Sequence, residues 1–159
     1  PCTGFKFTQK MRLRKLIVEK LEQEQIDIEY YPLLKRGVDL NLPDGRVILN
    51  KDYTTDSDTP KKYGYCSDTL FDEGYFGNIA DCDLLYHEAT FLHEMLDRAN
   101  ITHHTTALQA GEIAKITGAV KLLIGHFSSR YKTLQPLLEE AKSVFENTEL
   151  AIEGNTYTI

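Results

Sequence analysis

The chain has 159 residues, the length of one ordinary domain, and its 42% hydrophobic and 26% charged residues are typical of a globular protein. This composition excludes a disordered, collagen-like or coiled-coil chain, and no apolar run approaches the roughly 18 residues of a membrane span. Eighteen Lys and Arg against 24 Asp and Glu give a net charge of −6, so nucleic acid can be bound only through a local basic site.

The cysteines give information about the compartment. Cys2, Cys66 and Cys82 are odd in number and widely spaced, without a C-x-x-C pair. Such a set is not a disulfide framework and predicts a cytoplasmic protein. The chain begins at Pro1 with neither an initial Met nor a basic-then-apolar leader, so we expect it to be part of a longer polypeptide.

The first part of the chain predicts short elements. Alternating Phe residues predict a strand at 4–8. An apolar stripe at helical spacing predicts a helix at 10–24, formed by Leu13, Leu16, Ile17 and Leu21. The mixed pattern at 26–34 predicts a bend with one helical turn, and a Pro-Asp-Gly turn at 42–45 precedes a predicted strand at 46–50.

Three buried strands are predicted in the second part, each followed by reactive side chains. The strands are expected at 62–67, 83–86 and 121–125. Asp68 follows the first, His87 and Glu88 follow the second, and His126 follows the third. In layered α/β proteins, strands deliver functional groups to one edge of the sheet in this way.

Helices are predicted between and after these strands. Thr106 and Gln109 fit a capping box, which predicts a helix at 107–117 and leaves His104 in the loop before it. A second amphipathic pattern predicts a helix at 134–145. The segments 149–153 and 156–159, on either side of a Gly-Asn pair, predict a closing hairpin.

Asp68 and His126 are the candidate metal ligands from residue chemistry alone. Each follows a buried strand, and zinc binds such a mixture of nitrogen and oxygen donors. The structural alternative stays open at this point, because Asp68 can cap a turn and His126 can be a satisfied core histidine. No short H-x-H or H-E-x-x-H motif decides between them.

Four motifs occur in a specific order: Y-C-S-D-T at 65–69, H-E-A-T-F at 87–91, H-T-T-A-L-Q-A at 104–110 and G-H-F-S-S-R-Y at 125–131. Together they resemble the C-terminal half of ribonuclease Z, the tRNA 3′-processing endonuclease of the metallo-β-lactamase superfamily. The resemblance covers most of 60–135, and the start of the chain and 34–37 more weakly. H-E-A-T and S-S-R-Y are specific to this family, whereas S-D-T alone is not.

The resemblance implies a role for each matched residue. Asp68 matches the aspartate that bridges two metal ions, and His126 matches the last metal-binding histidine. His104 matches the histidine that protonates or stabilises the leaving oxygen, with Thr105 where the family usually has Ser. Glu88 resembles the acid that orients this histidine.

Two further residues and the remaining histidines complete the candidate set. Ser128 and Arg130 resemble groups that hold the loop or an RNA phosphate. His87, at a strand end, has a structural and a functional interpretation, and the structural one is favoured. His93 and His103 match no family motif and are expected to be surface or helix-end residues.

The implied fold class is mixed α/β: the C-terminal half of an αββα sandwich, with a mixed sheet and helices on one face. We expect residues 1–159 to form a single partial domain, with an arm or β-hairpin region at 1–60 and the motif-bearing region at 61–159. The implied activity removes the 3′ trailer of precursor tRNA, through attack of a zinc-activated water on a phosphodiester. Two Zn²⁺ ions are implied per full-length site.

The chain departs from the family in its ligands. The family holds most of its metal through an H-x-H-x-D-H stretch in the preceding half, and this sequence contains no H-x-H. Two side chains cannot complete a four-ligand zinc site. We therefore expect a truncated polypeptide that alone binds zinc weakly and lacks nuclease activity. Its exposed sheet face is expected to associate with the missing N-terminal half or with a second copy, as a homodimer.

Basic residues near the start are candidates for RNA contact. Lys6, Lys10, Arg12, Arg14, Lys15 and Lys20 are accompanied only by Glu19. Arg12 and Arg14 are predicted to contact substrate phosphates, in the region where the family inserts a tRNA-binding arm. The alternative is a solvated helix face.

Two other functions stay open on sequence grounds. Another phosphodiesterase of the same fold would keep Asp68 and His126 but need neither His104 nor Arg130. A non-catalytic half-domain that binds RNA or protein would need no metal, and the absent ligands agree with it as well as with truncation.

Overall fold

The computed structural model describes residues 2–159 in two compact units. The sheet unit comprises Lys61–Ile159 and the N-terminal residues up to Gln9, and the small unit is Lys10–Pro60. In chain order the strands are β1 (Phe5–Thr8), β2 (Lys15–Leu16), β3 (Leu40–Asn41), β4 (Val47–Ile48), β5 (Thr54–Thr55), β6 (Lys62–Cys66), β7 (Leu84–Glu88), β8 (Lys121–Gly125) and β9 (Thr148–Leu150).

The helices are short. The α-helices are α1 (Val18–Gln23), α2 (Tyr31–Lys35), α3 (Asn50–Tyr53), α4 (Leu96–Thr102), α5 (Ala107–Ile116) and α6 (Gln135–Val144). Short 3₁₀ helices occupy Ile28–Tyr30, Glu73–Ile79 and His93–Met95. Among the helices described in residues 2–159, none has the length and apolar character needed to cross a membrane.

A five-stranded mixed sheet organises the sheet unit, in the order β1-β6-β7-β8-β9. Strands β6 to β9 are parallel to their neighbours, and β1 is antiparallel to β6. The mixed α/β class is therefore confirmed, as are the three predicted strands, although the second was expected to end before His87 and instead runs through His87 and Glu88. The predicted helices also form, as α5 and α6, and α5 begins with the expected capping box at Thr106.

The core of the sheet unit lies between the sheet and helices α5 and α6. Leu85, Leu122 and Ile124 are fully buried and belong to one cluster with side chains of both helices. The helices approach closely at Gly111, where a β-carbon would lie 2.7 Å from the carbonyl oxygen of Ala141. Burial of each such aliphatic side chain contributes about 1.5–3 kcal/mol, so this layer fixes the strands that carry the motifs.

Aromatic residues mark the other face of the sheet. Phe5 and Phe7 of β1 pair in register with Tyr65 and Tyr63 of β6, and Tyr65 stacks on Tyr86 with ring centroids 4.8 Å apart. Phe5 is 52% and Phe7 58% exposed. The edge of this face is therefore apolar and open within the unit.

The predicted closing hairpin is wrong. Strand β9 pairs parallel with β8, and residues 156–159 form no strand. The Tyr157 hydroxyl instead donates to the Leu150 carbonyl at 2.7 Å. Pairing with a buried neighbour wins because it places Thr148 and Leu150 against the main core, which a terminal hairpin cannot do.

The helix predicted at 10–24 is also wrong. Strand β2 pairs antiparallel with β5, and only Val18–Gln23 is helical. Leu21 is fully buried in a small second core, whose other buried members are Ile26, Leu34, Leu40, Leu42 and Ile48. Long-range pairing within the small unit thus overrides a local helical pattern.

The strand predicted at 46–50 is shorter than expected. Val47–Ile48 pairs with Leu40–Asn41, and Asn50 begins α3. The Asn50 side chain is buried and donates to the carbonyl of Leu34 at 2.5 Å. This hydrogen bond satisfies the buried amide at the start of α3.

Candidate active site

Three neighbouring strands carry the candidate residues to one edge of the sheet. Asp68 follows β6, Glu88 is the last residue of β7, and His126 follows β8. Because these strands are parallel and adjacent, their carboxyl ends lie together. Asp68 and His126 both have a left-handed backbone, with φ of 50° and 56°. Non-glycine residues adopt this conformation at a cost, and such positions cluster at functional sites.

A cluster of potential metal ligands forms at this edge. Asp68, His104 and His126 each offer one ligand atom, and these atoms lie within 4.8 Å of one another. The His126 Nε2 atom is 3.2 Å from Asp68 Oδ1, and the rings of His104 and His126 are 5.2 Å apart. The sequence-based placement of Asp68 and His126 at one edge therefore agrees with the geometry, and His104 joins them from the loop before α5.

Glu88 lies behind His104 and is completely buried. Its Oε1 atom accepts hydrogen bonds from the Thr69 backbone N–H at 2.7 Å and from His104 Nδ1 at 2.9 Å. A carboxylate is tolerated in such a position when donors satisfy its oxygens. Glu88 thus holds the His104 ring by Nδ1 and leaves Nε2 as its available nitrogen.

Thr90 is a site residue for which the sequence analysis gave no role. Its Oγ1 atom lies 2.5 Å from Glu88 Oε2, 3.0 Å from His126 Nδ1 and 2.9 Å from the His126 carbonyl oxygen. The sequence could have indicated Thr90 through its spacing from Glu88. Thr90 is two residues after Glu88, and in an extended chain residues two apart lie on the same face.

The loop after His126 places Ser128 and Arg130 beside this cluster. Ser128 N–H donates to the Thr90 carbonyl at 3.1 Å, and Arg130 Nε donates to Ser128 Oγ at 3.0 Å. The Arg130 guanidinium lies 4.9 Å from the centre of the Phe91 ring, which in turn packs edge-on to His104. Arg130 is therefore an exposed cation held at the rim of the site.

His87 and Cys66 are buried beside the site, and burial favours the uncharged form of each side chain. Burial lowers the pKa of His87, whose ring bonds to the Tyr75 hydroxyl at 3.0 Å and the Glu88 carbonyl at 2.8 Å. Burial raises the pKa of the Cys66 thiol to about 11, so no thiolate forms at neutral pH. These contacts favour the structural interpretation of His87.

The other two histidines lie on the periphery of the motif region. His93 starts a 3₁₀ helix, and its Nδ1 atom is 3.1 Å from Thr106 Oγ1. His103 ends α4 in a left-handed conformation with φ of 59°. Both are helix-end residues, as expected from the sequence.

Arg12 and Arg14 belong to the small unit and line an open groove there with Lys35 and Arg36. Arg14 is paired with Asp56 and donates to Thr54 Oγ1 at 2.7 Å. Lys15 bonds Asp58 at 2.8 Å. The expectation that Glu19 alone accompanies the basic segment is therefore wrong, because acids some 40 residues later in the chain return to it.

The donor set fits a metal such as zinc. The Asp68 carboxylate oxygen is a hard donor and the His126 imidazole nitrogen a borderline one, and zinc accepts both as part of a four-ligand site. The contact of Thr90 Oγ1 with His126 Nδ1 is of the kind that orients metal-binding histidines, and Glu88 orients His104 in the same way.

Solved structures define the class of protein. The metallo-β-lactamase fold protein YhfI from Bacillus subtilis superposes on 62% of this chain with 40% of its own chain, at 27% identity and a TM-score of 0.57. A long form RNase Z from yeast covers 59% of this chain and 13% of its own, at 30% identity and a TM-score of 0.52. The mixed sheet and its helices therefore belong to the metallo-β-lactamase fold.

Sequence comparison finds relatives over nearly the whole chain. No protein-family model matches the chain. Ribonuclease Z of Porphyromonas gingivalis is 48% identical over 153 residues, which are 96% of this chain and 50% of that protein. The chain is thus homologous to ribonuclease Z over nearly its whole length, as the four motifs indicated, and it spans about half the length of the curated relatives it matches.

Proposed function

We propose that this chain supplies part of the active site of a zinc-dependent endoribonuclease that removes the 3′ trailer of precursor tRNA. The observation that carries the proposal is the meeting of Asp68, His104 and His126 within 4.8 Å, with buried Glu88 bonded to His104. The similarity to ribonuclease Z supports RNA as the substrate class.

The residues divide into two groups with different tasks. Asp68 and His126 hold the metal, with two Zn²⁺ ions in the whole protein. Bound zinc would lower the pKa of a coordinated water and withdraw charge from the phosphate. His104, held through Nδ1 by Glu88, donates a proton from Nε2 to the leaving oxygen, so that a hydroxyl remains on the tRNA.

Charged residues of each unit supply the substrate contacts. Arg130, held by Ser128 and Phe91, contacts a phosphate beside the cleaved bond. The groove with Arg12 and Arg14 contacts further phosphates of the tRNA. Selection then depends on tRNA shape and phosphate positions more than on base identity.

The metal site of this chain is incomplete, which has consequences for the isolated chain. Asp68 and His126 are only part of the ligand set of two zinc ions. The open aromatic edge with Phe5 and Phe7 supports association with the remaining part of the protein or with a second copy. Three free cysteines, with Cys66 and Cys82 buried, support a cytoplasmic location.

The decisive experiment compares the 159-residue chain with the whole protein that contains it. We expect the whole protein to bind zinc and cleave precursor tRNA at the 3′ trailer, and the isolated chain to bind zinc weakly without cleavage. Cleavage of a chromogenic phosphodiester but not of precursor tRNA by the whole protein would indicate another phosphodiesterase. Two tightly bound zinc ions per isolated chain would contradict the incomplete site.

A further inference from the structure

Thr90 is the residue that joins the metal side of the site to the proton-donating side. It is 6% exposed, and its single hydroxyl contacts Glu88, His126 and, at 3.4 Å, His104 Nδ1. A hydroxyl has one proton to donate and two lone pairs that accept. The directions of these hydrogen bonds can therefore be worked out.

Two of the atoms that contact the Thr90 hydroxyl can only accept its proton. Glu88 Oε2 at 2.5 Å and the His126 carbonyl at 2.9 Å both accept, and neither donates when Glu88 is a carboxylate. If Thr90 donated to His126 instead, two oxygens would face each other at 2.5 Å without a proton between them. The Thr90 proton therefore goes to Glu88 or to the carbonyl, and only a lone pair is left for the His126 ring.

This assignment fixes the tautomer of neutral His126. Its Nδ1 atom lies 3.0 Å from Thr90 Oγ1, which offers it only a lone pair, so Nδ1 must carry the proton. Nε2 is then bare, and it faces Asp68 Oδ1 at 3.2 Å. Two facing acceptors repel unless a proton or a metal ion lies between them, and when neutral His126 keeps its proton on Nδ1, a metal ion bound by both atoms fills this role.

We propose that Thr90 is a positioning residue that holds the proton of neutral His126 on Nδ1 and so keeps Nε2 free for the metal ion. The same hydroxyl donates to the carboxylate that holds His104, so one side chain orients both histidines. The inference rests on the proposed metal site, but the tautomer of His126 can be measured without metal.

The experiment records the imidazole nitrogen chemical shifts of the metal-free 159-residue chain by ¹⁵N NMR, at a pH where imidazole is neutral. The His126 signals are assigned by their loss in His126→Gln. Thr90→Val removes the hydroxyl with nearly the same shape, and Thr90→Ser restores it. Thr133→Val, at an exposed loop position, controls for the Thr-to-Val change itself.

We expect the wild-type chain and Thr90→Ser to show His126 protonated at Nδ1, and Thr90→Val to lose this preference. Predominant protonation at Nε2 in the wild type overturns the proposal, even if Thr90→Val does not fold. An unchanged tautomer in folded Thr90→Val overturns it as well.

Zinc affinity separates this inference from the proposed function. Competition with a chromophoric chelator should show that the whole protein with Thr90→Val binds Zn²⁺ about 10- to 100-fold more weakly than wild type. Equal affinity of wild type and Thr90→Val contradicts the role of Thr90 in metal binding. Equal affinity of wild type and Asp68→Asn contradicts the metal site itself, whereas the tautomer of the metal-free chain still decides the role of Thr90.

Discussion

The sheet unit and the small unit show two ways of treating polar residues. In the sheet unit, parallel strands of five residues bury Glu88, His87 and Thr105 completely, each with hydrogen-bond partners. In the small unit the strands have two residues each, and the ionic side chains stay at the surface in pairs such as Arg46 with Asp44. Buried polar groups are costly unless they are satisfied, so in both units the buried ones, including Asn50 of the small unit, have hydrogen-bond partners, and only the sheet unit buries a carboxylate.

The candidate catalytic and metal-binding residues and the open basic groove therefore lie in different units of the chain. The candidate proton donor and metal ligands are held by a rigid core, whereas Arg12 and Arg14 line an open groove. We therefore expect changes in the sheet unit to affect the chemical step and changes in the small unit to affect substrate binding.

The largest effect is expected from removing a metal ligand. Asp68→Asn in the whole protein should lower zinc affinity by more than the 10- to 100-fold typical of losing a residue that only orients a ligand, and cleavage should become undetectable. Metal content and cleavage of precursor tRNA measure this. Asp81→Asn is a matched control, because Asp81 is another exposed aspartate with a left-handed backbone. Equal zinc content in both variants would remove Asp68 from the site.

Loss of the proton donor is expected to have the next largest effect. His104→Asn and Glu88→Gln should lower kcat about 10²- to 10⁴-fold with little change in KM, because the proton no longer reaches the leaving oxygen. Single-turnover cleavage of precursor tRNA measures the chemical step. His103→Asn is the control, since Asn tolerates its left-handed backbone and full activity is expected. Equal losses at His103 and His104 would refute the assignment.

Core cavities test whether the two units unfold separately. Leu122→Ala and Leu21→Ala each remove a fully buried side chain and should cost about 2–5 kcal/mol. Urea unfolding with hydrogen exchange should show loss of protection throughout the sheet unit for Leu122→Ala. For Leu21→Ala the loss should be confined to Lys10–Pro60. The same protection pattern in both variants would mean that the chain unfolds as one unit.

Burial of His87 predicts a dependence of stability on pH. Its pKa is lowered in the folded chain, so below about pH 6.5 the unfolded state binds more protons and stability falls as the pH falls. The loss approaches about 1.4 kcal/mol per pH unit, whereas stability from this group is complete above pH 7. Urea unfolding at several pH values should show that the free energy of unfolding changes less with pH in His87→Gln than in wild type. Identical dependences on pH would show that folding does not lower the pKa of His87.

Charge reversal in the small unit is expected to have the smallest effect. Arg12→Glu should weaken binding of precursor tRNA and reduce the slope of log affinity against log salt by about 0.7–0.9 per lost phosphate contact, without changing kcat. Arg14→Glu is less clean, because Arg14 also holds Asp56 and Thr54. Arg98→Glu, at an exposed position of α4, is the control. Unchanged affinity at moderate salt would leave the groove as a solvated surface.

Prediction from the sequence succeeded where local pattern and tertiary structure agree. The apolar runs before Asp68 and His126 form strands, and the Thr106 capping box begins a helix, because neighbours along the chain determine these features. It failed at 10–24 and at the C-terminus, where partners far along the chain decided the structure. Leu16 pairs with Thr54, and Leu150 pairs with Ile124.

The sequence by itself determined the family resemblance, the mixed α/β class and the residues that meet at the edge of the sheet. These features follow from the sequence because the order of the strands and the four motifs determine which side chains lie at the same edge of the sheet. Only the tertiary structure decided that Asp56 and Asp58 neutralise part of the basic segment and that Thr90 contacts both Glu88 and His126. The physical reason is that hydrogen bonds and ion pairs depend on distances of about 3 Å between residues far apart in the chain, and only folding sets those distances.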